Sequence, residues 1–167
     1  MPESPPPAPQ GGPLPPPAEL SMLLDDQLCF GLYSASRAVT GLYRRLLEPL
    51  GLTYPQYLVM LVLWDRGAVP VGQLAEALQL DYGTLSPLLK RLEAQGAVRR
   101  VRRPEDERSV LVELTEDGVA MREDARGIPT AVGRAMGLTR DELAETRAVL
   151  ARLTGSVAAV LATPADG

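Results

Sequence analysis

The sequence predicts a mainly α-helical fold with a small β-hairpin wing, a winged helix-turn-helix flanked by terminal dimerisation helices. Three observations point there. Two short helical segments, residues 71–79 and 82–95, are parted by only two or three residues around Leu80, as a helix-turn-helix requires. The apolar period then switches from helical to alternating over AVRRV and VLVEL, which flank the charged tip RRPEDERS and so read as a hairpin. Long amphipathic stretches at either end carry apolar stripes that need a partner surface.

The elements follow in order. Nine of the sixteen prolines fall within residues 1–17, so residues 1–18 read as an extended or disordered tail, with no basic residue to make it a signal or transit peptide. From Leu20 to Leu47, Leu24, Leu28, Leu32, Ala35, Val39, Leu42 and Leu46 recur at helical spacing, and Pro49 and Gly51 end the run. Thr53 and Gln56 form a capping box with Pro55 in the first turn, opening a helix to about Trp64 that Gly67 and Pro70 close. Asp81 caps the fourth helix, Tyr82 to about Gln95, which Gly96 terminates. Pro87 conflicts with that helix because it lacks the N–H that would pair with Gly83, but LSPLLKRLE keeps a strong apolar face. Thr115 caps a further helix, with Glu116 and Asp117 in its first turn, expected to continue to about Met136 and to weaken near Gly127 and Pro129. Thr139 and Glu142 open a last helix reaching about Leu161. The expected division is a tail at 1–18, an N-terminal dimerisation helix at 19–50, the winged helix-turn-helix at 51–114 and C-terminal dimerisation helices at 115–162.

Composition narrows the chemistry. The chain has 167 residues and a net charge of −4, yet six bases and one acid lie between Lys90 and Pro104, a local basic element suited to nucleic acid. No histidine is present, which removes imidazole catalysis and most zinc sites, and neither a metal nor another cofactor is expected. The single cysteine, Cys29, excludes an intrachain disulfide and fits a reducing compartment, the cytoplasm. No apolar run is long enough to span a membrane.

In a helix-turn-helix the early, solvent-facing residues of the second helix reach base edges. Here these are Asp81, Tyr82, Gly83, Thr84, Ser86 and Pro87, with Lys90 and Arg91 placed to meet phosphate on double-stranded operator DNA. On the wing, Arg102, Arg103 and Arg108 frame the tip. Asp106 is expected to hold one arginine while Arg108 enters the minor groove. The plainer alternatives are a capped surface helix with a basic end and a charged, solvated turn. A winged unit this small reads half a palindrome, so a two-fold homodimer is expected.

The segment QLAEALQLDYGTLSPLLKRLEAQGAVRR, the wing residues Asp106-Glu107-Arg108 and the following VELTEDG resemble the multiple-antibiotic-resistance (MarR) type of winged-helix repressors. Within them, DQLCFGLYSASRAVTGLYRRLLEPLGLTYPQYLVMLVLWD resembles the one-cysteine organic hydroperoxide resistance regulators, over roughly residues 22–160. The resemblance implies that Cys29 is a peroxide sensor assisted by the hydroxyls of Tyr33, Tyr43 and Tyr54. It also implies a regulator rather than an enzyme. Related members carry a second, resolving cysteine in the C-terminal region; this chain has none, so a disulfide within the dimer is not available.

The residues carry a consistent chemistry. Cys29, Tyr33 and Tyr43 share one helical face, but Tyr43 lies about 21 Å along the helix at 1.5 Å per residue, so it cannot touch its own cysteine and could reach that of a partner if the two long helices cross antiparallel. Tyr54, beyond the Pro49–Gly51 break, could come from the same partner segment. Phenol hydroxyls donate to a thiolate and orient a peroxide; Leu28, Phe30 and Leu32 supply apolar surroundings suited to organic hydroperoxides. The resulting sulfenic acid meets no protein thiol, so a mixed disulfide with a low-molecular-weight thiol or overoxidation follows, either adding bulk or charge at a packed interface. The bland alternatives are a buried structural cysteine and ordinary interface aromatics. Competing functions are noncovalent sensing of an aromatic ligand by a repressor of the same type, a redox-inert architectural winged helix, and a thiol peroxidase.

Overall fold

The structure, a computed structural model, describes residues 22–103 and 106–162, with the backbone alone at residues 103 and 106–109. The expected tail at 1–18 lies outside the described residues. The chain divides into two compact units, Met1–Ala38 and Val39–Gly167.

In the first unit a 3-10 turn, Leu24–Asp26, precedes α1 (Leu28–Leu47). The helix expected from Leu20 therefore begins later. Gln27 is extended (φ −83°, ψ 113°), and its carbonyl accepts the first helical bonds from the amides of Phe30 and Gly31 at 3.0 and 3.2 Å. Met22, Leu23, Leu24 and Leu28 are exposed in the isolated chain.

In the second unit, α1 gives way to a 3-10 turn at Glu48–Leu50, closed by Gly51 in the left-handed region (φ 64°), where glycine is favoured. Then come α2 (Tyr54–Arg66), β1 (Val69–Pro70), α3 (Val71–Leu78) and α4 (Tyr82–Ala94). The capping box of α2 forms as expected: Gln56 Oε1 accepts from the Thr53 amide at 2.8 Å and from its hydroxyl at 2.9 Å. Pro87 leaves α4 unbroken, and its neighbour one turn back, Gly83, is exposed, so water can serve the carbonyl that proline leaves without a donor.

The wing strands β2 (Val98–Arg103) and β3 (Asp106–Leu114) are longer than the alternating stretches implied, with a register shift between Arg102 and Arg103. The sheet has a third strand the sequence did not announce: β1 pairs antiparallel with β3, Val69 opposite Val112, giving the order β1-β3-β2.

The helix expected from Thr115 to Met136 is two helices, α5 (Glu116–Ala125) and α6 (Ile128–Met136). Pro129 causes the break. It cannot donate to the Ala125 carbonyl and its ring would collide with it, so the chain restarts with Pro129 in the first turn, where a missing N–H costs nothing. The last helix, α7 (Arg140–Ala162), begins at the expected Thr139–Glu142 box, with Glu142 accepting from the Thr139 amide at 2.8 Å.

The core sits where α2, α3, α4 and the sheet meet. Leu85, Leu89 and Leu92 are the buried stripe of α4, each at most 1% exposed. Truncating any one would cost about 2–5 kcal/mol, so this stripe fixes which face of α4 looks outward. Among the described residues, no single helix is long and apolar enough to cross a membrane.

Candidate functional site

Cys29 is exposed in the first turn of α1. One turn on, the Tyr33 hydroxyl accepts a hydrogen bond from Arg37 Nη1 at 3.1 Å, and the same guanidinium stands 5.5 Å from the Tyr33 ring centroid. Cys29, Tyr33 and Arg37 follow at i, i+4 and i+8, on one face of the helix. A cation on the phenol oxygen draws charge from the O–H and makes it a stronger donor toward an anion. Sequence reasoning missed Arg37. The signal was there: it is the first basic residue in the chain, at helical spacing from a candidate tyrosine.

In the second unit the structure brings Tyr43 and Tyr54 together, their ring centroids 4.3 Å apart and their planes tilted by 31°. Tyr57, which the sequence reading did not single out, completes the cluster at 5.7 Å from Tyr43 while only 1% exposed. Its one signal was a place on α2 one turn after Tyr54. Burial, reinforced by the neighbouring phenols Tyr54 and Tyr57, raises the Tyr43 phenol above its ordinary 10.0; burial, then Tyr54, raises Tyr57 similarly. Tyr43 and Tyr57 therefore keep their protons across the physiological range, so their hydroxyls can act as donors.

The helix-turn-helix is built as the spacing implied, with α3 and α4 joined through Gln79, Leu80 and Asp81. Gln79 turns the chain in the left-handed region (φ 54°). Asp81 caps α4 by accepting from the Thr84 amide at 2.8 Å and the Thr84 hydroxyl at 2.7 Å, and these bonds hold its carboxyl below the usual carboxylate range. Asp81 and Thr84 are thus occupied with each other at the start of the helix. Tyr82 is exposed in the first turn, three residues before Leu85, and Gly83, Pro87, Lys90 and Arg91 are exposed on the side of the helix away from the leucine stripe. Ser86 is half-buried and lines a cleft of about 330 Å³ with Tyr82, Arg100 and Arg102.

Charge on the wing is partitioned. Glu93 of α4 grips Arg100 of β2, accepting from its Nε at 3.0 Å, its Nη2 at 2.6 Å and its amide at 3.2 Å, which holds the Glu93 carboxyl below its ordinary value. Arg99 pairs with Glu113 at 2.6 Å. These two of the six clustered bases are internal struts. Lys90, Arg91 and Arg102 make no ion pair among the described residues. The side chains of Arg103, Asp106 and Arg108, and with them the expected Asp106–arginine pairing, lie outside the described residues.

At the recognition-helix end, the Gln95 side chain donates to the Gly51 carbonyl at 2.8 Å, a tie between the end of α4 and the turn after α1 that the sequence did not reveal.

Residues 41–124 match the family model described as transcriptional regulator SarA/Rot. The organic hydroperoxide resistance transcriptional regulator of Bacillus subtilis is 50% identical over 119 residues, covering 71% of this chain and 79% of that protein. Among solved structures, reduced AbfR of Staphylococcus epidermidis bound to DNA aligns with TM-score 0.67 and 34% identity, over 84% of this chain and 96% of its own. Overoxidized AbfR bound to DNA gives 0.70 and 33%, over 83% and 94%. A mutant of E. coli MarR complexed with operator DNA gives 0.70 and 27%, over 80% of this chain and 99% of its own.

Proposed function

The chain belongs to the MarR-type winged helix-turn-helix transcriptional regulators, and from that premise we propose an organic-hydroperoxide-sensing repressor that binds operator DNA while Cys29 is reduced and releases it when Cys29 is oxidised. The observation that carries the reading is the tyrosine cluster. Three phenols are gathered around the start of α2, in a chain whose lone cysteine stands exposed at the head of α1.

It acts as a homodimer. In the assembly we propose, the N-terminal and C-terminal helices form the interface and Cys29 of one protomer meets Tyr43 and Tyr54 of the other. Tyr33, gripped by Arg37, assists on the cysteine's own helix. The phenols stabilise the thiolate and orient the peroxide. The thiolate attacks the distal peroxide oxygen and the O–O bond breaks; Cys29 becomes a sulfenic acid, and the alkoxide takes a proton and leaves as an alcohol. A low-molecular-weight thiol then condenses with the sulfenic acid, forming an S–S bond and releasing water. Each thiol is consumed once, so the chemistry is sensing rather than catalysis.

Overoxidized AbfR is bound to DNA, so overoxidation does not by itself preclude DNA binding in this fold. We therefore assign release here chiefly to the bulk of the mixed disulfide. On the DNA side, Tyr82, Gly83, Ser86 and Pro87 read bases, Lys90 and Arg91 meet phosphate, and Arg102, Arg103 and Arg108 of the wing follow the backbone or minor groove. Asp81 and Thr84 act first as the cap that aims the helix, and Asp106 positions a wing arginine.

An electrophoretic shift of operator DNA tests the reading. Cumene hydroperoxide with a small thiol should release the operator from the native protein and leave it bound to Cys29→Ser. Release from Cys29→Ser as well would overturn it.

A further inference from the structure

We propose that Trp64 is the positioning residue through which the sensor tyrosines act on the DNA-reading elements; this rests on the redox-repressor reading above. Trp64 is the chain's only tryptophan and stands in the last full turn of α2. An unbroken aromatic column leads to it. Tyr54 packs on Tyr43 at 4.3 Å, Tyr43 on Tyr57 at 5.7 Å, and Tyr57 meets Trp64 edge-on at 6.1 Å and 68°. Rings packed this closely pass a displacement along instead of absorbing it.

At the far end of the column, the Trp64 indole N–H donates to the Gly118 carbonyl at 2.8 Å, across 54 residues of sequence. Gly118 is wedged against the joint between α4 and β2. A β-carbon placed on it would stand 1.9 Å from the Ala97 carbonyl oxygen, so nothing but glycine lets α5 approach this closely. The same joint is tied twice more, through Thr115. Its hydroxyl, which caps α5 by accepting from the Gly118 amide at 3.0 Å, donates to the Gly96 carbonyl, and its amide donates to the Ala97 carbonyl at 3.1 Å. Gly96 and Ala97 are the residues that end the recognition helix and open the wing, with the Ala97 amide returning to Leu92 of α4 at 3.0 Å. A shift of Trp64 is therefore felt at once where the recognition helix ends and where the wing begins.

A purely structural tie and a coupling tie differ in what they move. The former weakens reduced and oxidised protein alike; the latter changes the gap between them. Operator affinity is measured by fluorescence anisotropy for native protein and Trp64→Phe, each reduced and each treated with cumene hydroperoxide plus a small thiol, with Cys29 consumption followed in parallel. Trp64→Phe should bind operator nearly as well as native when reduced and consume its thiol at the native rate. Its oxidative loss of affinity should shrink by about tenfold, an ordinary size for coupling between sites. Because tryptophan occurs once, biosynthetic replacement by 3-benzothienylalanine removes the N–H alone and should behave the same, whereas 5-fluorotryptophan, which keeps the N–H, should behave as native. An oxidative loss in both N–H-free proteins equal to the native loss overturns the proposal. No oxidative loss in the native protein would instead overturn the redox reading beneath it.

Discussion

Replacing Gly118 with alanine probes the closest Cβ approach among the glycines of the described residues. The added β-carbon would sit 1.9 Å from the Ala97 carbonyl oxygen, 2.9 Å from its carbon and 3.3 Å from a Leu114 methyl. Two of these atoms are backbone and cannot swing aside, so the start of α5 must retreat by more than an ångström. Overpacking of this kind costs about 1–3 kcal/mol. The retreat also strains the Thr115–Ala97 and Trp64–Gly118 hydrogen bonds, at about 1 kcal/mol each. Against this, alanine is favoured over glycine in a helix by about 1 kcal/mol. The expected net loss is about 2–4 kcal/mol. Urea unfolding of the reduced protein, at one fixed concentration because a dimer's stability depends on it, measures the difference. Gly72→Ala is the control: it is exposed, meets nothing within 4 Å and should be neutral or slightly stabilising. A Gly118→Ala midpoint matching that control would refute the joint as described.

Three further outcomes are expected. Lys90→Ala should weaken operator binding uniformly across sequences and lower the slope of log affinity against log salt by about 0.9, whereas Arg99→Ala, whose partner is Glu113 at 2.6 Å, should leave that slope nearly unchanged; equal slopes for the two would undo the partition of charge. In mixed dimers, Tyr43→Phe in one subunit with Cys29→Ser in the other leaves the sole cysteine facing an intact tyrosine, while both changes in one subunit leave it facing phenylalanine. The second arrangement should react with cumene hydroperoxide about tenfold to a hundredfold more slowly, the worth of one hydrogen bond to an anion, and equal rates would refute a shared site. Because the folded state holds the protons of Tyr43 and Tyr57 more tightly than an unfolded chain would, stability should be indifferent to these groups below their ordinary 10.0 and fall as pH rises above it; Tyr57→Phe should flatten that alkaline decline in thermal unfolding.

What the sequence disclosed and what it hid divide by the range of the interaction. Capping at Thr53, Asp81, Thr115 and Thr139 is written within four residues, and all four sites open helices as read. Strand β1 is two residues long, contains a proline and depends on pairing with distant Val112, so no local pattern announced it. Pro129 and Gly127 warned of weakness in a continuous helix, but only packing decides between a bend and the restart at Ile128. The tyrosines followed the same rule. Tyr43 and Tyr54 were both read as sensor-assisting hydroxyls from their family pattern, but the packing of their rings was not foreseen, and Tyr57 on an apolar helix reads as ordinary core until its ring is found against theirs. The basic cluster read as one DNA-facing element, yet Arg99 and Arg100 face glutamates, one across the sheet and one on the recognition helix. Charge counting along the chain cannot see a partner that lies in another element.

In the proposed repressor the state of one sulfur sets operator affinity. The most direct test of this dependence follows operator anisotropy and intact protein mass in the same sample during titration with cumene hydroperoxide and a small thiol, then after adding reductant. Release should rise in step with a thiol adduct on Cys29 and reverse when the adduct is reduced. Fully adducted protein that keeps its operator, or release while Cys29 is still unmodified, would contradict it.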